Sequence, residues 1–219
     1  MQDDGYLLFV YVLFIIQIPN LPSGTKSILW ETNLENEWIF VSFDSDSITT
    51  YSVYRDSLKG PQIMFVGTTR LPIFGSVPLL LNTCLLLLLD SSGKIVQTKL
   101  ETYGFLNDSG EPEYTLDDAT DRLSKAILMK RYDDAVFWAK QLNDSHEWNE
   151  FATALLYSLN IDYAIKVFRE IDHSGMVMAL EEIKHVEDKN LVSAHFAALF
   201  GDYDLAQEFF LTCGCPLEA

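Results

Sequence analysis

The sequence predicts an α+β chain of two segregated parts, partial β-propeller blades followed by a tetratricopeptide-like α-solenoid. Three observations predict it. Up to about Asn107, short β-rich runs alternate with turn residues. Across Asn107-Asp108-Ser109-Gly110-Glu111-Pro112 the composition switches to Ala, Leu, Glu and Lys. Beyond that point apolar residues recur at helical spacing, and three turns look alike.

The strands come first. Trp38 to Phe43 is an apolar stretch, and Asp44-Ser45-Asp46 follows as a turn because short polar side chains bond nearby backbone. Ile48, Thr50, Ser52 and Tyr54 alternate with Thr49, Tyr51 and Val53 in a run of β-formers, which completes a hairpin. Ile63 to Val66 is a short strand closed by Gly67, and Pro78 to Leu81 and Leu85 to Leu89 are two more. After the turn Asp90-Ser91-Ser92-Gly93, Lys94 to Thr98 returns antiparallel to the preceding strand. Strands recurring every ~10 residues suit sandwiches and propellers.

From Leu21 to Leu106 there is sequence for about two four-stranded blades of ~40–45 residues. A closed propeller needs at least ~4 blades, and two alone leave sheet edges unpaired. The expectation is therefore the end of a larger propeller, with a small stand-alone sandwich as the alternative. The domain reading places the terminal blades at 26–107, a linker at 108–114 and the start of the solenoid at 115–219. Residues 1–25 carry the apolar run Tyr6 to Ile18, 13 residues long. That is short of the ~20 residues a membrane helix needs. It follows Gln2, Asp3 and Asp4 rather than the basic start of a signal peptide. It reads as a buried strand or as an artefact of gene prediction, ahead of secretion or a membrane span.

The helical half opens with Thr115-Leu116-Asp117-Asp118, a capping-box pattern. Trp148, Phe151, Ala152, Leu155, Leu156 and Leu159 fall at i, i+3, i+4, i+7, i+8 and i+11, one apolar face of a helix. Further stripes are Ala164, Val167, Phe168 and Ile171; Leu191, Ala194, His195, Ala198 and Leu199; and Leu205, Ala206, Phe209 and Phe210. The similar turns are Arg131 to Ala135, Asn160 to Ala164 and Gly201 to Ala206. Each offers Asp as a capping acceptor and then an Ala on the next helix. Their alanines, Ala135, Ala164 and Ala206, lie 29 and 42 residues apart. Those distances bracket the period of helical repeats and suggest a degenerate array whose members stack on neighbours.

The formal net charge of −17 repels nucleic-acid phosphates and anionic lipid heads, and leaves basic partners or basic faces of partner subunits. Three cysteines, Cys84, Cys213 and Cys215, are too few and too odd for a disulfide scaffold. The chain has no GxGxxG, GxxxxGK[ST], GxSxG or HExxH pattern. Of the histidines His146, His173, His185 and His195, the last lies on an apolar stripe and reads as core. Cys213-Gly214-Cys215 supplies two of the four ligands zinc takes and reads as a turn. The carboxylate pairs Asp117/Asp118, Asp133/Asp134 and Glu181/Glu182 sit at helix starts and polar faces, where capping and solvation account for them. Asn107-Asp108-Ser109 and Asn143-Asp144-Ser145 match the glycosylation triplet weakly. No catalytic, cofactor-binding or metal-binding residue is assigned, and no cofactor is expected. A hydrolase built on a histidine would lack a serine or cysteine in a nucleophile elbow.

The stretch from Asp162 to Cys215 also resembles a known family. Its markers are Gly175-Met176-Val177 with Leu180, Val186-Glu187-Asp188 with Asn190-Leu191, Ala194-His195, Asp202 to Gln207, and Cys215-Pro216. Leu29-Trp30-Glu31, Gly67-Thr68-Thr69 with Leu71-Pro72, Pro78 to Leu81 and Ser92-Gly93-Lys94 extend the likeness into the first half. The chain is similar, from about Ile28 onward, to the WD-repeat subunit family of intraflagellar transport complex A. The resemblance implies the end of a second propeller joined to the start of a helical solenoid. It further implies a non-enzymatic structural role in retrograde ciliary transport and cilium assembly. The implied partners are other complex A subunits and ciliary membrane-receptor cargo adaptors, with no nucleic acid and no direct membrane insertion. The implied location is the cilium, its base and the cytoplasm. A vesicle-coat scaffold shares the propeller-then-solenoid architecture and is the alternative.

Overall fold

A computed structural model describes residues 18–102 and 116–216. The linker expected at 108–114 and the apolar run up to residue 17 lie outside the described residues. The chain forms two compact units, Met1–Arg55 with Pro61–Gln141, and Asp56–Gly60 with Leu142–Ala219.

In the first unit β1 (Ser27–Trp30), β2 (Ile39–Phe43), β3 (Ser47–Tyr54) and β4 (Gln62–Arg70) form an antiparallel sheet in sequence order. β5 (Val77–Asn82), β6 (Leu85–Leu89) and β7 (Ile95–Lys99) form a second, three-stranded sheet in the same manner. These are the partial blades that the strand spacing predicts. β2 is buried along its whole length because each of its faces is covered. Ile39, Val41 and Phe43 join Ile48 and Val66 against Leu81, Leu86, Leu88 and Leu100. On the opposite face Phe40 lies 5.0 Å from both Trp30 and Tyr51, packed with Ile63 and Ile18.

Two details differ from the sequence pattern. β1 has no turn-flanked apolar alternation and escapes a reading by period. β4 does not close at Gly67 but runs on to Arg70. The β3–β4 register shifts between Thr50 and Tyr51, so Val66 is the extra residue of a bulge. Gly67 is needed there for close approach: a Cβ would meet Thr102 Cγ2 at 3.0 Å. Thr102 in turn shares a buried hydrogen bond of 2.9 Å with Thr50.

Two polar devices hold this unit together. Glu31 is 6% exposed, and its Oε1 accepts from the amides of Thr32 (2.9 Å), Asn33 (3.2 Å) and Thr83 (3.0 Å). The Thr32 amide and hydroxyl donate to Leu81 O, so the end of β1 is pinned to the β5–β6 hairpin. The second device is a clamp on the C-terminal end of α1 (Leu116–Leu128). Trp38 Nε1 donates to Met129 O at 2.8 Å, and Tyr54 OH to Ile127 O at 2.9 Å and Leu128 O at 3.1 Å. Lys130 Nζ donates to Val53 O while lying 4.4 Å from the Tyr54 ring centre and 5.5 Å from that of Trp38. The last carbonyls of a helix lack partners within it, and here the sheet supplies them. Burial, with Tyr132 as a lesser cause, holds the Tyr54 phenol well above its usual range, which keeps it a donor.

The helices of the second half are α2 (Tyr132–Leu142), α3 (Ser145–Tyr157), α4 (Ile161–Glu170), α5 (Ser174–Ile183), α6 (Lys189–Leu199) and α7 (Tyr203–Thr212). One turn recurs after α1, α3, α4, α6 and α7. Lys130, Leu159, Asp172, Gly201 and Gly214 each take a positive φ. The next residue then donates back five residues, as in Arg131 to Ala126, Asn160 to Leu155, His173 to Phe168, Asp202 to Ala197 and Cys215 to Phe210. That is the Schellman closure. Lys130 to Asp172, Leu159 to Gly201 and Asp172 to Gly214 are each 42 residues apart. The uneven alanine spacing therefore hides a regular period. Ala164 and Ala206 are equivalent and both buried, whereas the position equivalent to Ala135 is the half-buried Val177.

The capping pattern also needs correction. Asp202 does cap α7, but α4 is capped by Asn160, whose side chain accepts from Tyr163 N, and Asp162 lies in the first turn. At α2 the residue before the helix is Arg131, whose guanidinium pairs with Asp134 at 2.7 Å. The α6 stripe is shifted as well. The face turned inward is Val192, Ser193, Phe196 and Ala197 with Ala194, while Leu199 is 43% exposed. α5 lacks a recognisable stripe because Leu180 and Ile183 are its buried residues.

Within the second unit, Leu58 is 2% exposed and its amide donates to Tyr157 O at 2.9 Å. Asp56 pairs with Lys189 at 2.9 Å. Two ion pairs of 2.7 Å, Arg169–Glu181 and Lys184–Asp162, join α4 to the end of α5.

Candidate interaction surfaces

The first surface is the outward face of the three-stranded sheet. Register places Val77 opposite Leu89 and Leu89 opposite Ile95, with Leu80 opposite Leu87. Alternation turns Leu81, Leu86 and Leu88 into the core and this second set outward. Val77 is 55% exposed and Ile95 is 65% exposed. The tight β5–β6 turn that fixes this register has Thr83 and Cys84 both at positive φ, a two-residue hairpin without glycine. Clustered apolar side chains of this size on a sheet face mark an interaction surface.

The second surface lies on α3. Its buried stripe is Trp148, Phe151, Ala152, Leu155 and Leu156. On the other side His146, Asn149, Glu150, Thr153 and Tyr157 form an exposed face of α3, with the half-buried Ala154 among them. Tyr157 stacks on Phe200 with ring centres 4.5 Å apart and planes within 9°. Sequence periodicity finds the buried stripe and passes over this one. The signal that could have found it is the 42-residue offset, which makes Tyr157 equivalent to Leu199, both exposed at the ends of their helices.

The residues considered for chemistry have structural places. His146 lies 3.7 Å from Glu150. His173 caps α5, its Nδ1 accepting from Met176 N. His195 is half-buried with its ring edge-on to Phe210 at 5.4 Å. Cys213 ends α7, and Gly214 makes the turn beyond it. Asn143 at positive φ and Asp144 as the cap of α3 form the α2–α3 turn. Asp162 is held below the usual carboxylate range, first by its hydrogen bond from Lys184 and then by the ammonium charge. The same contact raises Lys184. Both groups face water, so this is a surface pair and not a tuned acid or base. Among the described residues no three His, Cys, Asp or Glu gather to hold a metal ion, and no helix is long and apolar enough to cross a membrane.

Sheets built as consecutive antiparallel meanders, followed by helices in repeated turns, define a protein of partial propeller blades and a helical region. Residues 2–103 match the family model of the WDR19 second beta-propeller. That match begins before the apolar run and takes it in. The chain is 36% identical to human WD repeat-containing protein 19 over 221 residues, covering 100% of this chain and 16% of that protein. The mouse protein of that name is 36% identical over 218 residues, with the same coverage. WD repeat-containing protein dyf-2 of Caenorhabditis elegans is 33% identical over 207 residues, 94% of this chain and 15% of that protein. The chain is thus similar along its length to WD repeat-containing protein 19, and it spans about a sixth of the length of these relatives.

Proposed function

We propose that the chain acts as a non-enzymatic structural subunit of intraflagellar transport complex A, supporting retrograde ciliary transport and cilium assembly through protein–protein contacts. Its partners are other subunits of that complex and adaptors for ciliary membrane-receptor cargo, and it works at the cilium, the ciliary base and in the cytoplasm. Its helices stack in the tetratricopeptide-like manner, with the solenoid beginning near residue 115. The observation that carries this reading is the outward apolar face of Val77, Leu80, Leu85, Leu87, Leu89 and Ile95. Burying such a face against another protein surface drives assembly. Similarity along the whole chain to WD repeat-containing protein 19 favours the ciliary complex over a vesicle coat of the same architecture.

The test is co-purification of the tagged chain with the other complex A subunits from ciliated cells, together with imaging. Recovery of those subunits and signal at the ciliary base are expected. Recovery of none of them, or signal confined to the Golgi, would overturn the proposal. Val77→Asp with Ile95→Asp should abolish recovery without altering the helical content.

A further inference from the structure

We infer that the outer edge of β7 takes up a fourth strand, an extended segment of a partner polypeptide running antiparallel to it. The two sheets correspond strand by strand. β1 and β5 lie side by side, joined by a parallel bridge from Glu31 to Leu81. β2 and β6 follow, then β3 and β7, each antiparallel to the strand before it. The first sheet continues with β4, and among the described residues the second has no counterpart of it. Propeller blades carry four strands.

The backbone phase defines what the edge offers. Asp90 N donates to Lys94 O, and Leu100 N to Cys84 O, both at 2.9 Å. Alternation along an antiparallel pair then assigns Val96 and Thr98 to β6 and turns the N–H and C=O groups of Ile95 and Gln97 to the far edge. Burial agrees. β3, flanked on both sides, is buried from Ile48 to Ser52. Val96 and Thr98 are half-buried, although they lie opposite the fully buried Leu88 and Leu86. A row of backbone donors and acceptors fits another strand, and the equivalent place beside β3 holds one.

The described chain on either side goes elsewhere. After β7, Leu100 enters the core, the Glu101 amide donates to Thr69 Oγ1 at 3.1 Å, and Thr102 bonds to Thr50. That path crosses to β4 and β3 and does not fold back along β7. Ahead of β1, Ile18 packs with Phe40 and Tyr51, on the face of the first sheet opposite the second. The added strand is therefore assigned to another polypeptide, and a second copy, carrying the same −17, is repelled. This backbone edge is distinct from the outward side-chain face of the sheet, so either can bind without the other.

The experiment titrates the full chain against a labelled peptide of alternating valine and threonine, about seven residues long as suits a strand. Binding is read by fluorescence anisotropy and amide exchange by NMR. A control peptide carries N-methyl groups on two adjacent central residues, which removes a donor from each of its edges. The unmodified peptide should bind at least about tenfold more tightly than the control and slow exchange at Ile95 and Gln97. Gln97→Pro deletes an N–H on the far edge alone, where an edge strand tolerates proline, and should abolish binding with the melting curve little changed. Equal binding of the methylated peptide would overturn the inference, as would unaltered binding by Gln97→Pro. Slow exchange at Ile95 and Gln97 in the chain alone would overturn it too, because the edge would then be paired already, by this chain or by a second copy.

Discussion

The sheets and the helices are each held internally by contacts of opposite range. In the sheets, the Glu31 pin and the Trp38–Tyr54 clamp join residues 49 to 91 positions apart. In the helices, the recurring closure spans five residues and repeats every 42. Long-range polar contacts form only after both strands are placed, whereas the helical turns are fixed by adjacent sequence. The sheets should therefore lose order as a block when one central contact fails, and the helices should respond locally.

The largest test of that contrast is in the cores. Phe40 is fully buried between two aromatic rings, and Phe151 is fully buried in the α3 stripe. Truncating either to alanine should cost about 3–5 kcal/mol. Hydrogen exchange read by mass spectrometry should show Phe40→Ala exposing the amides of β1 to β4 together while α3 to α7 stay protected, and Phe151→Ala doing the reverse. Equal loss in both units from either variant would abolish the contrast.

Glu31→Ala comes next. It strips one acceptor from three backbone amides, at a cost of about 1–3 kcal/mol. Urea denaturation should show the loss, with exchange rising at Thr32 and Thr83. Glu31→Gln keeps an oxygen in place and should recover more than half of it. A glutamine variant as weak as the alanine one would mean that the carboxylate charge, not the acceptor, holds the pin.

The same difference in range explains what could be read from residues alone. The β2–β3 hairpin, β6 and the α3 stripe from Trp148 to Leu156 are written in local periods and fall where their patterns say, while Leu159, the last residue of the expected stripe, lies in the turn beyond the helix. The Glu31 pin was not legible, because nothing near Glu31 in sequence announces Thr83, 52 positions away. β4 was cut short because a bulge at Val66 reads locally as a strand end. The 42-residue period was obscured because its turns carry Lys130, Leu159 and Asp172 where glycine would be the recognisable signal.

Within the helices the effects should shrink to single turns. Gly201 takes φ +76, and an added Cβ there would meet nothing within 4 Å. Gly201→Ala should then cost about 1 kcal/mol from backbone strain alone. Asp172→Gly, at φ 55 in the equivalent turn, should shift stability the other way by a smaller amount. Thermal melts of the two variants test whether the turns are energetically alike. Melts in which both lose stability would mean that the Asp172 side chain matters more than its backbone.

The smallest effect belongs to the α5 cap. His173 accepts from Met176 N at 3.2 Å with a ring nitrogen, and the first turn of α5 has no acidic residue. Its counterparts at α3, α6 and α7 are Asp144, Asp188 and Asp202, so α5 has a poorer cap than its neighbours. A carboxylate there would supply an acceptor and a charge suited to the positive end of the helix dipole. It would also remove the edge contact between the His173 ring and Phe168 at 5.7 Å. The cap should outweigh that contact, so His173→Asp should raise stability by about 0.5 kcal/mol, with slower exchange confined to the first turn of α5. Faster exchange at Met176 with a lower melting temperature would mean that the ring is held for its packing on Phe168. The repeat would then depend on an aromatic contact where its neighbours depend on a cap.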